Sequence, residues 1–172
     1  DSKLRSGGDS NVFLVERFMV KLEESVRLRM SSDVPFGAFL SGGIDSSSIV
    51  ALMSMNNEVP VNTFSVGFSE AEYSELDYSR KVSDLFGCNH HELIINPDDL
   101  IEHLPTLIRF RDSPVSEPSD IPIYLLSKEA SKYVKMVLTG VEKNGLGMGN
   151  YIYILGFWSK HSNFFNCMFG TI

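Results

Sequence analysis

Apolar positions along the chain alternate between two spacings. From Asn11 to about Met30, Val12, Val15, Met19, Leu22 and Val26 recur at steps of three and four. Glu16, Lys21, Glu23, Glu24, Arg27 and Arg29 surround them, so an amphipathic helix is predicted, closed by Ser31-Ser32-Asp33. Phe36 to Leu40, behind Pro35, is a short apolar run and predicts a strand. Ser41-Gly42-Gly43 is a turn. Ile44, Ile49, Val50, Leu52 and Met53 then fall on or near one helical face, ending at Asn56-Asn57. Val61 to Phe68 reads as a second strand, of the kind that need not alternate when both sheet faces are covered. Glu70 to Tyr73 is an acidic connection. Glu75 to Phe86 predicts a helix with Leu76, Val82 and Leu85 inward, stopped by Gly87. His91 to Ile95 is a third strand. Asn96-Pro97-Asp98-Asp99 starts a helix, with Asn as cap and Pro in the first turn, continued by Leu100, Ile101, Leu104, Leu107 and Ile108. Arg111 to Pro122 is a loop, Ile123 to Tyr133 a helix, and Val134 to Leu138 a fourth strand ending at Thr139-Gly140.

Strands alternating with helices predict an α/β fold with a parallel sheet and flanking helices. In such sheets ligands sit beyond the carboxyl ends of the strands. Three such ends carry turn residues: Leu40-Ser41-Gly42-Gly43, Val66-Gly67-Phe68 and Thr139-Gly140. They are the expected rim of a nucleotide pocket.

Composition narrows the field. At 172 residues and 43% hydrophobic content, one domain with a core is expected. A net charge of −7 argues against nucleic acid or an anionic membrane as the main partner. Cys88 and Cys167 form no metal-binding spacing and point to a reducing, cytoplasmic setting. The first residues are polar, so no signal peptide is expected in them, and no apolar run approaches the ~20 residues of a membrane span. His90 and His91 are neighbours on a strand, so they face opposite ways and make a poor metal pair. Cys88 reads as a small buried residue. Asp112 fits either a substrate-facing acid or a turn former.

The stretch Phe36 to Val50 carries the chemistry. Its glycines permit dihedrals that a Cβ forbids and let a ligand approach the main chain. The following helix start supplies unpaired N–H groups and a positive dipole end, suited to phosphate. Asp45 and the serines, in the first turn, can cap those groups. Ser41, Ser46 and Ser47 add hydroxyls. Asp45 would repel phosphate unless it helps hold Mg2+ against a polyphosphate. The loop is neither G-x-x-x-x-G-K-[ST] nor G-x-G-x-x-G. The plainer reading is a Gly-Ser turn capping an ordinary helix.

Ser41-Gly42-Gly43-Ile44-Asp45-Ser46 resembles the SGGxDS pyrophosphate loop of the ATP pyrophosphatases. More widely, the chain resembles the synthetase domain of the glutamine-hydrolysing asparagine synthetases. The resemblance rests on Asp33 to Ser48, Thr63-Phe-Ser-Val-Gly-Phe68, Asp77-Tyr-Ser-Arg80 and His90-His91-Glu92. It continues through Asp112-Ser-Pro114, Pro118 to Pro122, Tyr124 to Ser127 and Val137-Leu-Thr-Gly140, in order. It implies an incomplete adenine-nucleotide alpha-hydrolase-like fold. It also implies that Leu40, Val66, Thr139 and Gly140 bind ATP near the adenosine. Ser41, Gly42, Gly43, Asp45 and Ser46 would hold pyrophosphate, with Asp45 as both catalytic residue and Mg2+ ligand. The implied reaction adenylates the side-chain carboxylate of aspartate, releases pyrophosphate and takes ammonia to form asparagine.

The chain departs from that family in a run GEGADELFGG, which here reads Gly140-Val-Glu-Lys-Asn-Gly-Leu-Gly-Met-Gly149. Val141 replaces a glutamate near the reacting centre, and Asn144 replaces an aspartate that would help hold Mg2+. Ser113 replaces a glutamate before Pro114. All 22 acidic residues lie at or before Glu142, and aromatic residues crowd the end of the chain. The expected organisation is a lead-in over 1–10, a partial synthetase domain over 11–142 and a divergent tail over 143–172. That tail is either a truncated or frame-shifted end, or an element packed on the open sheet edge. The glutaminase domain with its terminal cysteine is expected to be missing, since the chain opens on Asp1. Ammonia would then come from solution or from that missing partner segment, and a homodimer stays open. Two alternatives stand beside this reading. One is a related synthetase of the same loop class acting on another carboxylate, such as a β-lactam-forming synthetase or a peptide-modifying amidotransferase. The other is a non-catalytic nucleotide-binding module.

Overall fold

The computed structural model describes residues 7–69, 75–111, 119–140 and 151–154. Outside them lie the acidic connection from Glu70 to Tyr73, and Asp112, Ser113, Val141, Glu142, Asn144 and Cys167. The elements are α1 (Gly7–Met30), β1 (Phe36–Phe39), α2 (Ile44–Met55), β2 (Asn62–Phe68) and α3 (Leu76–Phe86), followed by β3 (Asn89–Ile95), α4 (Pro97–Arg111), α5 (Asp120–Ala130), β4 (Met136–Thr139) and β5 (Tyr151–Ile154). The expected α/β architecture is present.

One sheet runs in the order β3-β2-β1-β4-β5. The first four strands are parallel, and β5 pairs antiparallel with β4. Ala38 lies between Thr63 of β2 and Leu138 of β4. So a segment of the aromatic-rich tail covers the open β4 edge. Helices flank both faces. Leu22 and Val26 of α1 and Ile49, Val50 and Met53 of α2 pack with Ala38, Leu40 and Leu138, with Val82 and Phe86 of α3 beside them. On the other face, Leu126 and Ala130 of α5 meet Phe39, Phe64 and Val137. Leu107 of α4 meets Ile95, Tyr124 and Leu125.

The period-2 alternation of β1 and β4 explains the split. Leu40 and Leu138 point to α2, and Phe39 and Val137 to α5. The strand order matters more for function. After β1 the chain winds outward through β2 and β3, then returns on the opposite side of β1 as β4. The carboxyl ends of β1 and β4 therefore flank a topological switch point, where a crevice opens.

Several expectations are corrected. α1 starts at Gly7, four residues before the periodic run, and its Val12, Val15 and Met19 are exposed while Leu22 and Val26 are buried. The sheet reaches only the carboxyl-terminal half of that helix. Ile44 is 82% exposed, since it is the first residue of α2 and precedes the turn that meets the sheet. Leu85 is 75% exposed, and Ser79 and Ser83 take the inward positions beside Leu76 and Val82. Ile101 is exposed on α4. The helix expected over 123–133 runs from Asp120 to Ala130, with Pro122 in its first turn, where no N–H is needed. At the start of α4, the carboxylate of Asp99 accepts from the Asn96 N–H at 2.8 Å, so the capping bond runs back from Asp99.

Candidate functional site

The loop after β1 ends the strand by a side-chain contact. Leu40 N–H still donates to Phe64 O at 2.9 Å, as a strand residue would. The Leu40 carbonyl accepts from the Ser65 hydroxyl. Both backbone groups of Leu40 are thus engaged, and its side chain is buried in the core. Leu40 thereby anchors the loop that follows.

The two glycines differ. Gly42 has φ +83°, the left-handed region that disfavours any Cβ. It is also backed by α3: a Cβ there would lie 2.5 Å from Tyr78 Cβ and 2.8 Å from the Ser79 nitrogen. Gly43, at φ −71° and ψ 163°, is the N-cap of α2 and is not strained. The nearest atom to a Cβ on Gly43 is Ser41 Oγ at 3.5 Å. Both glycines are expected from the sequence to hold special dihedrals and admit a ligand. Only Gly42 needs the dihedral, and only Gly43 keeps an open side.

Side-chain capping of α2 is not what forms. Gly43 caps it without a side-chain bond, and Ser47 N–H makes the first intrahelical bond, to the Gly43 carbonyl at 3.0 Å. The amides of Ile44, Asp45 and Ser46 precede that bond and have no intrahelical acceptor. Ser46 is buried, and its hydroxyl donates to the Gly43 carbonyl at 3.2 Å. It also accepts from the Ser41 N–H at 3.3 Å and lies 3.0 Å from Ser41 Oγ. The two serines thereby hold the loop against the first turn of α2. The dipole of that helix and its free amides face the same small volume.

The end of β4 closes the other side. A Cβ on Gly140 would lie 3.0 Å from Asp45 Cβ and from the Ser46 nitrogen, so Thr139-Gly140 abuts the first turn of α2. The structure thus brings Ser41, Gly42, Gly43, Asp45, Ser46, Thr139 and Gly140 together at the switch point. Val66 stands one strand away, beyond the end of β1, and packs toward α4 and α5. Thr139 is buried. The half-buried Asp45 carboxylate fits Mg2+ in one respect: that ion is commonly held by one or two carboxylates plus substrate phosphates. Among the described residues no group of three or more His, Cys, Asp or Glu side chains could hold a metal ion without such phosphates.

A polar cluster lies behind the loop. His90 Nδ1 lies 2.9 Å from Thr63 Oγ1, and His90 Nε2 lies 3.5 Å from Ser79 Oγ. Ser79 Oγ donates to the Leu76 carbonyl at 3.0 Å. Arg80 clamps Glu92 through two bonds of 2.6 and 2.8 Å and reaches Asp77 at 3.0 Å. His91 faces the other way, as expected, with its ring stacked on Phe64 at 5.0 Å. Burial pushes both imidazoles below their ordinary pKa; for His90 the Glu92 carboxylate partly opposes this. The Arg80 hydrogen bonds hold the Glu92 carboxyl below the usual range. Burial raises the Cys88 thiol, beside Ser54, as suits a structural residue. Neither Ser65, a lone serine in an apolar strand, nor Ser79, a small polar residue in a charged helix, carries a periodic signal of its own. The matched pieces Thr63 to Phe68, Asp77 to Arg80 and His90 to Glu92 did contain them.

Comparison with known proteins shows what the chain is similar to. Residues 18–141 match the profile of the family described as Asparagine synthase. The chain is 37% identical over 140 residues to asparagine synthetase (glutamine-hydrolyzing) 1 of Bacillus subtilis, covering 81% of this chain and 22% of that protein. It is 39% identical over 128 residues to a putative asparagine synthetase (glutamine-hydrolyzing) 2 of Methanocaldococcus jannaschii, covering 74% of this chain and 25% of that protein. The chain therefore spans about a fifth to a quarter of the length of these relatives. Among solved structures, NMN synthetase from Francisella tularensis is a remote likeness, with TM-score 0.48 and 16% identity over 71% of this chain and 52% of that one.

Proposed function

The chain belongs to the asparagine synthase family, and from that premise we propose that it is part of an ATP-dependent synthetase domain that binds ATP at the loop after β1. The observation that carries this is the meeting of Ser41 to Ser46 with Gly140 at the carboxyl ends of β1 and β4. A helix start with free amides, a glycine with an open side and a nearby carboxylate suit a polyphosphate with its cation.

The proposed substrates are ATP, aspartate and ammonia. A carboxylate is a poor acyl donor, so activation comes first: an aspartate side-chain oxygen attacks the α-phosphate of ATP, and pyrophosphate leaves. Ammonia then attacks the acyl carbon, AMP departs and asparagine forms. The amides of Ile44, Asp45 and Ser46 and the hydroxyls of Ser41 and Ser46 would bind the pyrophosphate and stabilise the charge that grows on it. Mg2+, when bound with ATP, would neutralise part of that charge. Asp45 would hold the cation side of the polyphosphate, and Gly140 leaves room for it. Val66 and Thr139 would line the adenosine side. The proposed domain over residues 11–142 is a partial one, with ammonia supplied from solution or by the glutaminase part of a longer protein. No described helix is long and apolar enough to cross a membrane, and a cytoplasmic setting is part of the proposal. A second reading, nucleotide binding without turnover, is favoured by Val141 and Asn144, which replace acids at family positions.

Thermal unfolding with and without Mg·ATP tests the proposal, with Asp45→Ala and Gly43→Val as controls. Gly43 is chosen because its open side faces the proposed phosphates. A ligand at a hundredfold its Kd adds about 2.7 kcal/mol, or roughly 5–10 °C for a domain of this size. A shift seen in the parent and lost in Gly43→Val supports the site, and no shift in the parent refutes it. Pyrophosphate release with aspartate, compared with other carboxylic acids, separates the acceptor readings. ATP binding without release favours the non-catalytic one.

A further inference from the structure

Two facts about Ser79 point in one direction. Its backbone nitrogen lies 2.8 Å from the place a Cβ on Gly42 would take. Its hydroxyl lies 3.5 Å from His90 Nε2. We propose that His90, acting through Ser79 and the first turn of α3, is a positioning residue for the loop Ser41-Gly42-Gly43. This rests on the loop being the nucleotide site, and the test below separates the two ideas.

The hydrogen bonds define the protonation pattern. The Ser79 hydroxyl spends its hydrogen on the Leu76 carbonyl at 3.0 Å, so its oxygen can only accept from His90. Nε2 therefore carries the hydrogen, and Nδ1 accepts from the Thr63 hydroxyl at 2.9 Å. The neutral imidazole thus ties α3 to β2, the strand that also anchors Leu40 through Ser65. Thr63 and Ser79 are both fully buried, so neither hydroxyl can exchange its partner for water.

Protonation breaks this pattern. A hydrogen on Nδ1 would meet the Thr63 hydroxyl, which must then turn its own hydrogen away inside the core. The charged groups facing the ring are Glu92 on β3, and Arg80 and Asp84 on α3, with Asp77 paired to Arg80; His91, on the opposite face of β3, acts on it only through space. Glu92 would draw the imidazolium toward itself at 3.5 Å, away from Ser79. The first turn of α3 loses its tie, and the wall behind the positive-φ Gly42 slackens. The loop is rigid when His90 is neutral and loosened when it is charged.

The experiment reads amide hydrogen exchange of residues 41–43 in the ligand-free protein, and the Mg·ATP Kd, for the parent, His90→Ala, Ser79→Ala and His90→Gln. The Gln side chain keeps a donor facing Ser79 but does not titrate. His90→Ala and Ser79→Ala should speed loop exchange and weaken ATP about five- to tenfold, the worth of one internal hydrogen bond. His90→Gln should keep parental exchange and Kd at pH 8. Between pH 7 and 5 its loop exchange, corrected for the intrinsic rate, should stay flat while that of the parent rises. A purely structural role would not yield this pH difference. If parent and His90→Ala share the same loop exchange and the same pH profile, the proposal is overturned, whether or not ATP binds. If the parent fails to bind ATP but His90→Ala still loosens the loop, the positioning role stands and the nucleotide reading falls.

Discussion

Gly42→Ala and Gly43→Ala are the same chemical change one residue apart, and the structure assigns them opposite outcomes. At Gly42 the new Cβ would meet Tyr78 Cβ at 2.5 Å and the Ser79 nitrogen at 2.8 Å. These atoms belong to the first turn of α3, so no rotamer change relieves the overlap. The left-handed φ of +83° adds about 1–2 kcal/mol for a residue with a Cβ. Overpacking against a fixed element adds about 1–3 kcal/mol. Together the loss is about 2–5 kcal/mol, a large share of the ~5–15 kcal/mol that holds a domain folded. At 2–4 °C per kcal/mol this is a fall in the melting midpoint of roughly 4–20 °C. At Gly43, φ is −71° and the nearest contact is an ordinary 3.5 Å. There Gly43→Ala should change stability by less than about 0.5 kcal/mol, or raise it slightly by restricting the unfolded chain. Urea unfolding followed by circular dichroism, with equal slopes for all three proteins, measures both changes. The account of the loop is refuted if Gly42→Ala unfolds at the parental midpoint, or if Gly43→Ala is equally damaging.

Three further outcomes follow from the same contacts. Ser65→Ala removes the donor to the buried Leu40 carbonyl and should cost about 1–3 kcal/mol in urea unfolding; an unchanged midpoint would mean that this tie does not end β1. The folded pKa values of His90 and His91 are depressed by burial from 6.5, so the folded state binds fewer protons than the unfolded one in this range. Their contribution is complete above about pH 6.5, declines as pH falls below it and levels off under the folded values. Stability measured from pH 8 to 5 should fall less in the double variant His90→Gln, His91→Gln; parallel curves would contradict the depressed values. Burial lifts the Cys88 thiol above its ordinary 9.0, so alkylation read at the Cys88 peptide should be slow at pH 7.5, and a fast reaction there would show a thiolate the structure does not support.

What could be read from the chain alone was set by local physics. Periods of 3.6 and 2, and stops such as Gly87 at φ +62°, depend on neighbouring residues only, so the elements and their parallel class were legible. The loop from Ser41 to Ser46 was legible too, because glycines and a helix start must be adjacent in sequence to make an anion site. Where local pattern failed, packing decided. Leu85 and Ile44 have the right residue type for a core face, but they lie where no element covers them. The place of Tyr151–Ile154 is set only by the pairing of β5 with β4. The role of Gly42 was half visible: its freedom of backbone is local, but the approach of Tyr78 and Ser79 joins residues some 36 positions apart. The switch point is wholly tertiary. Nothing between Phe36 and Phe39 says that β2 will lie on one side and β4 on the other. That order is chosen by burying Leu40, Leu138, Ile49 and Met53 in one core, and it alone brings Gly140 against Asp45.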